Sequence, residues 1–292
     1  MMSVKVFDKI GKKRRNKIRG LRPGIFMYIL VSIVCIIAVF PFYWLLNTSL
    51  QPQSELYKLP INFFPTKNIF NSYFDYISNS KISVWLFNSF IVSGLVCILS
   101  TVIGVPCAYA ISRFNFRMKT PIILLVLFTQ MMAAAFLCIP LYMIFSRLAL
   151  VNTRTGLIII YTCTTLPISI WFSKGFFDSI PSSLDESARV DGANTLQVLL
   201  RILLPLLRPG IIATGTWVFI ASWDEYLYAY TMLSDTALWT NSVGLASYVG
   251  QYNTPWNEIM SGAILVTLPV VLLFMYFQKY IVAGITSGSV KG

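Results

Sequence analysis

The chain has 292 residues, of which 56% are apolar and only 12% are charged, and its mean hydropathy is +0.70. The formal net charge is +12, and the sequence contains no His. This composition lies outside the range of soluble globular domains and predicts an integral membrane protein.

Six apolar stretches are long enough to cross the ~30 Å of hydrocarbon in a bilayer. In chain order they cover residues 24–46, 85–111, 120–145, 156–172, 209–230 and 260–280. The sequence therefore predicts an all-α integral membrane fold. Residues 24–280 form a six-helix transmembrane domain, between a basic tail over residues 1–23 and a C-terminal tail over residues 281–292. Prolines within these stretches fit either kinked helices around a pathway or ordinary proline usage in membrane helices.

The basic residues are distributed unevenly between the two sides of this predicted topology. One side, which includes both termini, collects 18 Lys and Arg residues and the other collects 5. By the positive-inside rule both termini are cytoplasmic. The positive charge is then explained by topology and by attraction to anionic membrane lipid, and it does not indicate a nucleic-acid surface.

The sequence gives no sign of metal, disulfide or nucleotide chemistry. The cysteines lie singly within apolar stretches and no His accompanies them, so we expect no metal site and no disulfide. The G-x-x-x-x-G-K-[ST] phosphate loop does not occur, so we expect no cofactor in this chain and an energy source in another subunit.

The segment DESARVDGANTLQVLLRILLP, after the fourth apolar stretch, is unusually rich in charge. Ser183 stands three residues before Glu186, and Asn194 stands three residues before Gln197, the spacing of two helix-start capping boxes. Gly192 separates them. We therefore predict two short helices joined by a glycine bend at the membrane surface. The second helix should carry an apolar face of Leu196, Leu199, Leu200 and Leu203.

Taken singly, each of these residues is explained as a cap, a bend or an amphipathic face. Taken together, their spacing resembles the E-A-A…D-G-A…L-P loop of permease subunits of bacterial ABC importers. The residues at the matching positions are Glu186, Ala188, Asp191, Gly192, Ala193, Pro205 and Pro209, and Ser187 stands where the pattern has its first Ala. Further stretches are similar to the second permease of carbohydrate importers of the maltose and oligosaccharide type, namely FPFYWLLNTSL, NSFIVS, YAISRF, WDEYLYA and YIVAGITSGSVKG.

The resemblance implies a type I ABC importer permease fold in a bacterial cytoplasmic membrane. Residues 176–208 would be the coupling loop, with a cytoplasmic coupling helix that contacts an ATPase through Glu186, Ser187, Ala188, Asp191, Gly192, Ala193 and Pro205. The implied partners are a homologous second permease, two ATPase subunits that bind ATP and Mg, and an extracytoplasmic sugar-binding protein. This chain would be a transport subunit and not an enzyme.

Three further groups of residues are candidates for contacts with partners or substrate. The resemblance places Gly284, Gly288, Lys291 and Gly292 of the tail toward the ATPases. Polar and aromatic side chains suited to a sugar path are Asn88, Thr129, Gln130, Trp223, Asp224 and Tyr226, with Trp223 and Tyr226 expected on one helix face. Candidates for contact with the binding protein are Tyr248, Gln251, Tyr252, Asn253 and Trp256, although aromatic residues also form interfacial belts.

Two other classes of function fit the sequence less well. A membrane enzyme acting on lipid-linked sugars could use Asp224 and Glu225, or Asp75, as acids, because intramembrane acids are commonly functional. A passive channel would need a repeated selectivity element, and none is present in the sequence.

Overall fold

A computed structural model of the chain describes residues 25–65, 70–250 and 254–289, and the regular structure within these ranges is helical, without a strand. The predicted basic tail lies outside these ranges. The same holds for five of the candidate residues, Gln251, Tyr252, Asn253, Lys291 and Gly292.

The helices follow one another in the order expected for a multi-pass bundle. They are α1 Ile25–Ser49, α2 Phe70–Asn79, α3 Ile82–Arg113, α4 Lys119–Met131, α5 Ala134–Arg147, α6 Arg154–Asp178, α7 Ser183–Val190, α8 Thr195–Gln197, a π-helix Val198–Leu203, α9 Leu204–Leu206, α10 Arg208–Trp223, α11 Leu227–Met232, α12 Asn241–Ala246 and α13 Trp256–Ser289.

Four of these helices, α1, α3, α6 and α13, are long and apolar enough to cross a membrane unaided. Two further pairs pass the same test only together. The α4–α5 pair is bent by 101°, and residues Thr195–Leu206 are bent by 81° against α10. The described chain therefore has four such helices, and six spans only if each bent pair counts as one.

The third predicted span is not one continuous helix. The structure breaks it between α4 and α5, because Met132 and Ala133 both adopt extended backbone angles, with ψ of 125° and 133°. Neither a Gly nor a Pro stands at this break, and Pro140 lies within α5. The predicted span over residues 120–145 is therefore divided between two helices, which together are long and apolar enough to count as one span.

The fifth predicted span ends earlier than its hydropathy indicates. Helix α10 stops at Trp223, and α11 starts again at Leu227. The Glu225 carboxylate accepts hydrogen bonds from the backbone N–H groups of Tyr228 and Ala229, at 2.8 and 3.2 Å. Because these are free N–H groups of a new helix, Glu225 stabilises the break. Trp223 and Tyr226 consequently do not share one helix face, contrary to the prediction.

The core forms where α3 packs against α6 and α10. Small residues allow close approach: a Cβ at Gly104 would lie 2.8 Å from Ser169 Oγ. Hydroxyl groups join the same helices, with Ser100 Oγ 3.0 Å from Thr165 Oγ1. Small residues and inter-helical hydroxyl bonds are the usual means of packing helices in membranes. This core fixes the positions of the helix ends that carry the candidate site.

Candidate functional site

The charged stretch singled out in the sequence lies at the ends of α3 and α6 that carry Arg113 and Asp178. We call residues 183–207 the acidic segment; it comprises α7, a turn, α8, the π-helix and α9. Its two-helix organisation with a bend at Gly192 agrees with the prediction.

The first of the two predicted capping boxes does not form. Helix α7 begins at Ser183, and Ser182 in the N-cap position makes no side-chain cap. Ser183 is therefore inside the helix, where its side chain cannot act as the cap. Glu186 is exposed, and its carboxylate has no hydrogen-bond or ion-pair partner among the described residues. Its charge is consequently available to another molecule.

The turn after α7 depends on a glycine. Gly192 has a φ of +86°, in the left-handed region that L side chains rarely adopt. The N–H of Gly192 donates to Arg189 O at 3.1 Å, and the N–H of Ala193 donates to Ala188 O at 3.0 Å. This pair of bonds is the Schellman motif, which ends a helix at a left-handed residue. The chain therefore reverses sharply at Gly192.

The second capping box forms as predicted. Asn194 Oδ1 accepts from the backbone N–H of Gln197, and the Asn194 backbone N–H donates to Gln197 Oε1, both at 2.9 Å. The helix then widens into the π-helix, which changes the angle between successive side chains. Leu199 and Leu203 are buried, whereas Leu196 and Leu200 are 61% and 50% exposed. The four leucines thus do not form the single face that was predicted.

A buried ion pair fixes α7 to the end of α3. Arg113 Nε lies 2.8 Å from Asp185 Oδ2, and both side chains are at most 10% exposed. The Nε–H makes no aligned hydrogen bond, so attraction between the charges carries this contact. Arg113 Nη2 also donates to Ile180 O at 2.9 Å. Ala188 packs in the same buried cluster as Tyr109 and Phe177.

The sequence did not predict this pair. Arg113 was expected only to contribute to the charge asymmetry of the topology, and Asp185 only to belong to the charged stretch. The available signal was amphipathic spacing, because Asp185 and Ala188 stand three apart on the face of α7 that is buried.

The opposite face of α7 and the turn are open to solvent. Glu186, Ser187, Asp191 and Gly192 are exposed. Val190 is 88% exposed and lies between the two acidic residues of this surface. A mixture of acidic groups and a projecting apolar side chain on a fixed scaffold is suited to contact with another protein.

The substrate-path candidates divide into buried and exposed residues. Asn88 is fully buried and donates to Ala237 O and Trp239 O, both at 2.9 Å, so it ties α3 to the connection between α11 and α12. Trp223 is 1% exposed and donates to Val266 O at 3.2 Å. Both side chains serve the packing of the chain.

The other four path candidates lie at the two helix breaks. Thr129 and Gln130 end α4 just before the bend, and Gln130 Nε2 donates to Thr164 O at 3.1 Å. Asp224 and Tyr226 belong to the break after α10 and are exposed. No hydrogen bond or ring contact joins the two groups within the described residues.

The remaining candidates are only partly described. Gly284 and Gly288 lie near the end of α13. The Tyr248 ring packs against Tyr76 and Trp85, with centroids 6.0 and 6.1 Å apart, and Trp256 is 41% exposed.

Comparison with known proteins identifies the family. A family model described as "Binding-protein-dependent transport system inner membrane component" matches residues 100–287. The chain belongs to this family.

Relatives and solved structures agree with this assignment. The sulfoquinovosyl glycerol transport system permease protein SmoH of Agrobacterium fabrum is 35% identical, with 91% of this chain and 93% of that protein covered. The trehalose/maltose transport system permease protein MalG of Thermococcus litoralis is 33% identical, with 90% and 94% covered. A bacterial ABC transporter involved in the import of the acidic polysaccharide alginate has a chain of similar structure, with a TM-score of 0.75, 25% identity, and 88% and 95% of the two chains covered.

The chain is thus a multi-pass permease subunit of an ABC importer, a transport component without enzymatic activity. The alternative of an enzyme acting on lipid-linked sugars has no support from these relatives. One of its candidate acids, Glu225, uses both carboxylate oxygens to cap α11.

Proposed function

We propose that the acidic segment is the contact between this permease and an ATPase subunit, and that it transmits the movement of the ATPase to α3 and α6. The proposal rests on the two faces of α7, one of which is attached to this chain while the other is open to a partner. Its inner face is fixed by Asp185 and Ala188, while Glu186, Val190 and Asp191 project outward. A partner that moves the outer face must also move the helices attached to the inner face.

ATP and Mg bind to the ATPase subunits in this proposal, and this chain supplies only the mechanical connection. The ATPase can shift the permease between two states only if it contacts the acidic segment differently in each. A second, homologous permease completes the pathway, and an extracytoplasmic binding protein delivers the substrate.

The proposed substrate is a carbohydrate, because the relatives are named for sulfoquinovosyl glycerol and for trehalose and maltose. The helix breaks are the best candidates for its path. Irregular backbone at membrane depth is tolerated where it is buried in protein or lines a cavity, and transporters commonly bind substrate at broken helices. Thr129 and Gln130 at one break, and Asp224 and Tyr226 at the other, offer polar and aromatic groups of the kind that bind sugars.

A single cysteine can test both the orientation and the ATPase contact. In a background in which the five native cysteines are replaced, Val190→Cys should react with a membrane-impermeant maleimide only when the cytoplasmic face is accessible. It should also crosslink to an ATPase subunit in the assembled complex. We expect this because Val190 is 88% exposed on the outer face of α7.

Ser234→Cys is the matched control, since Ser234 is exposed in the connection between α11 and α12, at the other end of the molecule. It should be labelled from the external side and should not crosslink to the ATPase. Labelling of Val190→Cys from outside, or ATPase crosslinks from Ser234→Cys alone, would refute the proposal.

A further inference from the structure

A groove of about 540 Å³ lies beside the acidic segment. Its walls come from α3, the acidic segment and α10, and its lining includes Val102, Leu200, Leu204, Pro205 and Arg208. The groove occupies the corner that the chain makes where the acidic segment bends by 81° into α10. Its volume is within the roughly 300–1,000 Å³ typical of pockets that bind small molecules.

The groove is apolar except at one end. Val102 and Leu200 are 65% and 50% exposed, so their side chains are available to a ligand. Arg208 is exposed at the start of α10, and its guanidinium has no hydrogen-bond or ion-pair partner among the described residues. By contrast, Arg113 and Lys174 at this end of the molecule both pair with aspartates.

The position of Arg208 matches the depth of lipid headgroups. Helix α10 extends 15 residues from Arg208 to Trp223, so at ~1.5 Å per residue Arg208 lies about 22 Å from the helix break after Trp223, at the edge of the apolar stretch 209–230. An arginine at this depth is stable when it reaches an anion at the interface.

Charge favours an anionic phospholipid over the N-terminal tail of this chain as the occupant of the groove. Residues 1–24 carry nine Lys and Arg and one Asp, so this tail is repelled by Arg208. A phospholipid with an anionic headgroup has complementary charge at one end and an apolar chain for the remainder of the groove. Basic pockets between helices on the cytoplasmic side are suited to such headgroups.

We propose that this groove binds an anionic phospholipid, with the phosphate at Arg208 and one acyl chain between α3 and the acidic segment. Because Leu200, Leu204 and Pro205 belong to the acidic segment, the bound acyl chain contacts the same segment whose α7 end is the proposed ATPase contact. Lipid binding itself does not depend on that contact.

The test uses the complete purified transporter in nanodiscs that contain a trace of a photoreactive lipid. Two probes carry the same diazirine-labelled acyl chain, one with a phosphatidylglycerol headgroup and one with phosphatidylcholine. The phosphatidylglycerol probe should label the peptides that contain Val102 and Leu200 about fivefold more, the factor expected for one added contact between a basic residue and an anionic lipid.

Arg208→Gln should remove this preference and Arg208→Lys should keep it. Arg201→Gln is the matched control, because Arg201 is exposed on the same segment but does not line the groove. Val102→Trp should reduce labelling by both probes, since it fills the groove. Copurification of the ATPase subunits verifies that each variant is assembled.

Equal labelling by the two probes in the unmodified transporter would overturn the proposal. So would an unchanged preference in Arg208→Gln. Absence of labelling at both peptides, together with crosslinks from Val102→Cys to the second permease, would show that a protein occupies the groove instead.

Discussion

Gly192→Val should abolish transport while leaving the subunit assembled in the membrane. Gly192 adopts a φ of +86°, and a β-branched residue there costs about 1–2 kcal/mol. A Cβ at this position would meet no other atom within 4 Å, so the cost within this chain is conformational and not steric. To relieve it the turn must rotate, which breaks the two Schellman hydrogen bonds and re-aims the outer face of α7.

The measurement is ATP-driven uptake in reconstituted vesicles, with ATPase activity followed in parallel. Gly192→Asn should retain much of the transport, because Asn tolerates left-handed backbone angles. Gly175→Ala is a second control, since a Cβ there also meets nothing within 4 Å and the position has no positive φ. Normal uptake by Gly192→Val would mean that the turn has no coupling role. Loss of uptake in assembled Gly192→Asn would instead indicate that the ATPase approaches this position closely.

Asp185→Ala should release α7 from the end of α3. The substitution leaves the Arg113 guanidinium buried without its carboxylate partner, and removal of one member of a buried pair typically costs about 3–5 kcal/mol. We expect amide hydrogen exchange of α7 to accelerate strongly, with loss of uptake. Exchange in the part of α3 far from Arg113 should change little, because the α3–α6 core does not depend on the pair.

Two control variants separate the ion pair from general damage. Asp178→Ala removes the Asp178 carboxylate, which is 39% exposed, and with it the pair with Lys174 and the hydrogen bond from Ser112 Oγ. Because it leaves no charge fully buried, it should cost clearly less than Asp185→Ala. Replacing both members, as in Asp185→Leu with Arg113→Met, should recover part of the protection of α7, since no unpaired charge remains buried. Protection of α7 that is equal in Asp185→Ala and the unmodified chain would contradict the proposed attachment.

Local features of the acidic segment were predictable from its sequence. The bond pattern between Asn194 and Gln197 and the bend at Gly192 each depend on residues within a few positions of one another. Such features follow from side-chain chemistry and backbone preference alone. The Ser183 and Glu186 spacing was equally suggestive, yet the helix starts one residue earlier than that cap requires.

Features that depend on distant residues were not predictable in this way. The pairing of Arg113 with Asp185 requires the packing of α3 beside α6, which brings the two positions together. The break at Met132 and Ala133 stands in the sequence QMMAAAF, where neither a Gly nor a Pro marks it. At the break after Trp223 the sequence was ambiguous, because Glu225 could be either the cap of a new helix or an intramembrane acid. Hydropathy detects apolar length, and it does not detect where an apolar stretch bends.

We infer that this chain conducts a carbohydrate only as part of an ATP-driven complex. The most direct measurement is uptake of a radiolabelled sugar, chosen by a binding screen with the binding protein, into vesicles that contain both permeases and the ATPase subunits. We expect uptake that requires ATP and the binding protein and is lost when this chain is omitted. Uptake that continues without ATP, or without this chain, would contradict it.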